Sequence, residues 1–318
     1  MSPTAHGSSG PERADLPTGW RVWLVGARPR TLPAAVAPVI VGAAAAVGDG
    51  GSSEGLAGVI WWRFACALAV ALFVQVATNY ANDYSDGIRG TDDPGARVGP
   101  PRLVGDSMAS PGAVKRAMLV CFALTLAAGA PLVLFVDWRL ALVGVAAVAA
   151  GWFYTGGPRP YGYAGLGELF VFVFFGLVAT VGSAFVQTEQ IAGVSVVAGI
   201  AMGCLATALL VVNNLRDIPG DTEAGKRTLA VKIGDQATRG LYAGLLVAAF
   251  LAVPLMVAAG SSPVVGVALV TVVPARRPVL AVLSGARGPA LVPVLVDTGR
   301  VQLAYGVLAA VGLVIATT

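Results

Sequence analysis

From Thr31 onward the chain is a succession of apolar runs, each close to the length that crosses a bilayer, separated by breaks that alternate between short, weakly charged ones and longer ones rich in Arg and Lys. A spanning helix needs roughly 20 mostly apolar residues, because the hydrocarbon layer is about 30 Å thick and offers no water to a bare backbone. The candidate spans are 31–48, 62–82, 115–136, 139–156, 167–187, 191–215, 240–259, 262–283 and 301–317, nine in all. Charge supports this reading. Only 12% of the residues are charged and 56% are hydrophobic, whereas a soluble domain carries about 25% charged residues. A soluble fold of 318 residues could not cover its surface from that supply. Disorder is excluded too, since it needs low hydrophobicity and high net charge. The expected fold is an all-α polytopic membrane protein of nine transmembrane helices.

Residues 1–20 are polar and rich in Gly, Pro and Ser, and read as a flexible tail ahead of one transmembrane domain, 21–318. With nine spans assigned, all but Arg63 and Arg139 of the 21 Lys and Arg fall on the side of the tail. Cytoplasmic loops carry the excess of Lys and Arg, so the N-terminus is expected in the cytoplasm and the C-terminus outside. The net charge of +4 is thereby a matter of orientation, and no nucleic-acid partner is implied. The single histidine, His6, lies in the tail, and Cys66, Cys121 and Cys204 are isolated in apolar runs. Histidine-based catalysis, zinc sites and disulfide frameworks are therefore unsupported.

Acidic residues are rare, and two groups of them sit where a span meets a basic loop. In the first, Asn79, Asn82, Asp83 and Asp86 are spaced i, i+3, i+4 and i+7, one face of a helix. In the second, Asn213, Asp217 and Asp221 are spaced by four, with Asn214 and Arg216 between them and Pro219 and Gly220 near the end. Stacked carboxylates at a membrane boundary repel one another and lose hydration, so something positive must hold them. With only oxygen ligands to hand, a hard cation fits, and Mg²⁺ is commonly held by a few carboxylates plus substrate phosphates. Arg89, Arg97 and Arg102 follow the first cluster, and Lys226 and Arg227 the second. Two aspartate faces ringed by cations make a candidate diphosphate site.

A third segment, Tyr154-Thr-Gly-Gly-Pro-Arg159-Pro-Tyr161-Gly-Tyr163-Ala-Gly-Leu-Gly-Glu168, lies on the same side. Its tyrosines are either interface residues or ring faces that stabilise an allylic carbocation by cation–π attraction. Arg159 could take a phosphate oxygen, and Glu168 is either a helix-start charge or a substrate contact.

The strings Asn82–Asp92 (NDYSDGIRGTD) and Asn213–Thr228 (NNLRDIPGDTEAGKRT) resemble the two aspartate-rich motifs of the UbiA superfamily of intramembrane prenyltransferases. Ala27–Leu32 (ARPRTL), Arg97–Pro100 (RVGP), Tyr154–Glu168 and Gly225–Val231 (GKRTLAV) resemble its menaquinone branch. The resemblance implies transfer of a polyprenyl group from polyprenyl diphosphate to 1,4-dihydroxy-2-naphthoate, with two Mg²⁺ ions, in a bacterial cytoplasmic membrane with the site facing the cytoplasm. Carried over residue by residue, Asp83 and Asp86 would bind one ion and Asp217 and Asp221 the other. Asp92 follows Asp86 by six residues rather than the four common in the superfamily, which separates it from the ligand pattern. Tyr154 would face the carbocation. Asn79, Asn82, Asn213, Asn214, Arg28, Arg97, Arg159, Arg216, Lys226, Arg227, Tyr161 and Glu168 would contact substrate. The alternatives are another aromatic acceptor, such as 4-hydroxybenzoate, or a transporter, which would place its ionisable groups at the bilayer midplane.

Overall fold

A computed structural model describes residues 16–49, 55–90 and 101–315. Among them there is no strand. The helices are α1 (Arg21–Ala27), α2 (Pro33–Asp49), α3 (Trp61–Ile88), α4 (Pro111–Phe135) and α5 (Leu140–Phe153), followed by α6 (Gly167–Thr188), α7 (Gly193–Glu223), α8 (Leu229–Ala258), α9 (Pro263–Leu283) and α10 (Gly288–Ile315). The expected tail falls mostly on residues outside this set, as do Asp92 and Arg97.

Seven helices, α3, α4 and α6 to α10, are long and apolar enough to cross a membrane. An eighth crossing forms if the pair Arg21–Thr31 and Pro33–Val47, bent by 53°, counts as one span. The ninth expected span, 139–156, contains a helix of only 14 residues, about 21 Å long at 1.5 Å per residue. Its shortness has a local cause. The helix ends where Tyr154-Thr-Gly-Gly-Pro begins, with Gly157 at φ 73° and Pro158 unable to continue it.

Two packed clusters organise the bundle. One, around Val22, Ala77, Tyr80, Leu103, Met118 and Phe122, joins α1, α3 and α4. The other gathers α2, α7, α8, α9 and α10 around Val41, Leu205, Tyr242, Met256 and Tyr305. Helix α7 is the axis of this second cluster, buried along most of its length and packed on α8, α2, α6 and α10. With lipid outside, helices associate through close backbone approach at small residues. A Cβ on Gly176 of α6 would lie 2.4 Å from the Gly203 Cα of α7. In that stretch, Phe172–Val178, α6 winds as a π-helix. Leu134, Phe135, Trp138, Leu142 and Val145 are exposed, as lipid-facing side chains would be.

Both aspartate-bearing helices run past their expected spans. Helix α3 continues beyond residue 82 to Ile88 and so carries Asp83 and Asp86 in helical register. Helix α7 continues through Pro219 to Glu223 and keeps Asn213, Asp217 and Asp221 on one side. Ser110 starts α4 by accepting the amide of Ala113. Thr228 starts α8 by accepting that of Val231.

Candidate active site

The C-terminal ends of α3 and α7 meet at an open cavity of about 440 Å³. Arg28, Asn82, Asp86, Arg102, Tyr154, Thr155 and Tyr163 line one part of it. Asn213, Asn214, Arg216, Asp217, Asp221, Lys226 and Thr228 line the other. Residues that the sequence separates by well over a hundred positions therefore face a single space.

Asp83 is fully buried. Its Oδ1 pairs with the guanidinium of Arg28 and accepts from Nη1 of Arg102 at 2.6 Å, while Oδ2 accepts the Leu103 amide at 3.2 Å. Arg28 itself caps α1 with φ 51°, a left-handed backbone that turns the chain from α1 toward α2. Asp86 accepts a hydrogen bond from the Tyr163 hydroxyl and one from Lys226 Nζ at 3.3 Å. The ammonium of Lys226 also lies 4.6 Å from the Tyr163 ring centroid. Together these contacts tie the loop after α7 and the Tyr154 segment to the end of α3.

On α7, Arg216 grips Asp217 through Nε and Nη2, both at 2.7 Å, and reaches Asn213 Oδ1 at 2.9 Å. Such a two-pronged pair fixes geometry as well as charge. Asp221 Oδ2 accepts from the Thr228 hydroxyl at 3.4 Å. Asn82 Oδ1 accepts from Thr155 at 2.8 Å, and Arg89 donates to the carbonyls of Thr155 and Gly157. These bonds pin the Tyr154 segment against α3.

Behind the cavity wall, Tyr154, Tyr161, Phe170 and Phe174 form a continuous aromatic ladder, with Tyr161 stacked on Phe170 at 3.9 Å. Tyr161 donates to the Ala150 carbonyl at 2.8 Å, and burial pushes its hydroxyl above the usual tyrosine range. Asn79 donates to the Ala27 carbonyl at 2.9 Å and fastens α1 to α3 rather than facing the cavity. Glu168 is buried, and its Oε1 accepts from Asn214 at 2.9 Å.

Like Asn79 and Tyr161, two more expected substrate contacts sit elsewhere. Arg159 and Arg227 are exposed and do not line the cavity. The turn at Gly156–Gly157 and Pro158 throws Arg159 outward. Arg227 gives only its amide to the site region, donating to the Tyr163 carbonyl at 3.0 Å. Conversely, Thr155 and Thr228 touch Asn82 and Asp221 although residue-type reasoning passes over them, and Tyr163, considered only for its ring, bonds Asp86 through its hydroxyl. Thr228 closes the GKRT string, and Tyr163 stands two residues after Tyr161, so their motifs held the only signal.

The fold and site together define a multi-span membrane enzyme with an anion-handling cavity between two aspartate-bearing helix ends. A profile of the UbiA prenyltransferase family matches residues 35–283, and the chain belongs to that family. It is a prenyltransferase. It is 48% identical to the 1,4-dihydroxy-2-naphthoate octaprenyltransferase of Mycobacterium tuberculosis, over 91% of this chain and 95% of that protein. To the Escherichia coli protein of the same name it is 36% identical, over 74% of this chain and 76% of that one. The fold is similar to that of a UbiA homologue from Archaeoglobus fulgidus solved with DMAPP and Mg²⁺. That likeness has a TM-score of 0.58 and 17% identity, and it covers 91% of this chain and 99% of the homologue.

Proposed function

We propose that this chain transfers a polyprenyl group from polyprenyl diphosphate to 1,4-dihydroxy-2-naphthoate, releasing diphosphate and CO₂ and giving demethylmenaquinol. The observation that carries this reading is the cavity itself, where Asp86, Asp217 and Asp221 converge with Arg28, Arg102 and Lys226. The names of the relatives support the choice of acceptor.

The donors suit Mg²⁺. They are oxygens spread around an open cavity, and among the described residues no three carboxylates gather into a cage. A small hard cation that takes one or two carboxylates and completes its shell with water and phosphate oxygens needs no cage. Asp86 on α3 and Asp217 and Asp221 on α7 are the residues that would hold it, as two ions. When bound, it supplies Lewis-acid neutralisation of the diphosphate. Asp83 has a different task in this reading, because it is fully buried, does not line the cavity, and binds Arg28, Arg102 and the Leu103 amide instead. It positions the two guanidiniums.

The remaining steps fall to the chain's own residues. Lys226, Arg28 and Arg102 bind diphosphate oxygens and take up charge as the allylic C–O bond breaks with its electron pair on the leaving group. Tyr154 presents its ring to the allylic cation, and the aromatic ladder behind it keeps water out. The naphthoate ring forms the new C–C bond to the prenyl group and surrenders its carboxylate as CO₂, the electron pair of the broken ring–carboxylate bond returning to the ring. In sum the ring exchanges carboxylate for prenyl, with no oxidant or reductant. The isoprenoid tail lies among the apolar helices. The cavity end carries the basic loops, so it faces the cytoplasm of a bacterial cell membrane.

The test is mass spectrometry of products from purified protein given dihydroxynaphthoate and a series of prenyl diphosphates. Prenylated naphthoquinol and diphosphate should appear, be abolished by EDTA and return with Mg²⁺. Asp86→Ala and Asp217→Ala should each nearly abolish turnover. Substantial activity in both variants would sink the two-helix diphosphate site.

A further inference from the structure

The contact between Glu168 and Asn214 fixes which way an amide points. A carboxylate paired with an amide side chain takes the NH₂ end, so Glu168 Oε1 turns Nδ2 of Asn214 toward α6 at 2.9 Å. The amide oxygen, Oδ1, is thereby directed away from Glu168. Asn214 lines the cavity. Among the described residues nothing donates to its Oδ1, and that oxygen is not among the sealed, unpartnered atoms of the interior. It therefore opens onto the cavity as a hydrogen-bond acceptor. Tyr154 lines the same cavity, and its hydroxyl lies 3.5 Å from where a Cβ on Gly167, the neighbour of Glu168, would be. Glu168 is itself 7% exposed, and its Oε2 has no hydrogen-bond partner among the described residues, so its contribution to the wall runs through Asn214.

A bare carbonyl oxygen discriminates between the two substrates. An ionised diphosphate offers only acceptor oxygens and would be repelled by it. A hydroxylated aromatic ring offers O–H donors. We infer that Asn214 Oδ1 receives a ring hydroxyl of the aromatic acceptor, and that Glu168 is the positioning residue that keeps the amide turned for it. The inference rests on the acceptor class proposed above and assigns the group that recognises it. A site built to bond a hydroxyl rejects the analogue lacking it, because its own buried polar atom is left unpaired.

The experiment uses 1-hydroxy-2-naphthoate and 4-hydroxy-2-naphthoate, each missing one hydroxyl of the proposed acceptor, as competitive inhibitors. The wild type should bind one of them about tenfold more weakly than the other, the cost of leaving one buried acceptor unpaired. In Asn214→Ala and in Glu168→Gln the two analogues should bind within about twofold of each other. In both variants the KM for prenyl diphosphate and the Mg²⁺ concentration for half-maximal rate should stay at wild-type values. Equal binding of the two analogues by the wild type overturns the assignment without recourse to any variant, as does discrimination that survives in both variants. A raised Mg²⁺ requirement or prenyl diphosphate KM in Asn214→Ala overturns it as well, since Oδ1 would then serve the diphosphate end. If the wild type makes no prenylated naphthoate, the proposed reaction itself fails. A wild type that makes it without discriminating the analogues refutes this inference alone.

Discussion

Replacing Asp83 by Asn tests whether this carboxylate is an organiser of arginines or a ligand for metal. In the structure its Oδ1 is shared by Arg28 and Arg102, and its Oδ2 takes the Leu103 amide. Asp83 is fully buried, and the side chains of Arg28 and Arg102 are only 18% and 8% exposed. Asn is nearly the same size, so packing is kept and one charge is lost between two guanidiniums. Removing one partner of a buried ion pair costs about 3–5 kcal/mol, because the other charge stays buried without compensation. The partial exposure of Arg28 argues for the lower end, about 3 kcal/mol. At roughly 2 °C per kcal/mol for a chain this long, the melting temperature should fall by about 6 °C. The assay is thermal unfolding in detergent, alongside binding of a prenyl diphosphate without metal, which should weaken as Arg28 and Arg102 lose their fixed positions. Asp86→Asn is the control: its metal-free binding should change little while its Mg²⁺ response is lost. If Asp83→Asn melts with the wild type and loses only the Mg²⁺ response, the organiser role is wrong and the ligand role suggested by the motif stands.

Lys226→Ala should raise the KM for prenyl diphosphate about 10-fold or more, the loss of a charge-assisted contact of roughly 1.5–3 kcal/mol. Arg159→Ala should change it less than about twofold, since an exposed cation is screened by solvent. Steady-state kinetics of the two variants side by side decides the matter, and equal damage would put Arg159 at the cavity after all. For topology, a reporter fused after Thr318 should read as external and one inserted in 93–100 as cytoplasmic. The same side for both would show that α5 does not cross.

The features legible in the sequence were those set by short-range periodicity. Spacings of three and four put Asp83 with Asp86, and Asp217 with Asp221, because a helix fixes those faces by itself. Apolar run length gave the multi-span class for the same reason. What the sequence could not supply were pairings made by folding. The Arg28–Asp83 pair spans 55 positions and the Tyr163–Asp86 bond 77, and nothing local in either segment announces its partner. Arg159 illustrates the converse: its residue type suits a phosphate, while the turn of two glycines and a proline before it leaves it exposed and off the cavity lining. Pro219 and Gly220 left the end of α7 open, and the helix runs four residues beyond Pro219 to Glu223.

The π turn at Phe172–Val178 bears on how this chain can change its length. A π turn accommodates one residue more than an α turn in the same rise. Removing one residue there returns α6 to plain α geometry with the residues on either side still in phase, so Glu168 keeps its place on Asn214. The same deletion in the α-helical stretch between Ala179 and Thr188 has no such slack and turns the two halves of the helix by about 100° against each other. A relative whose α6 is one residue shorter at 172–178 should therefore keep the cavity wall, whereas one shortened beyond 178 must rebuild it.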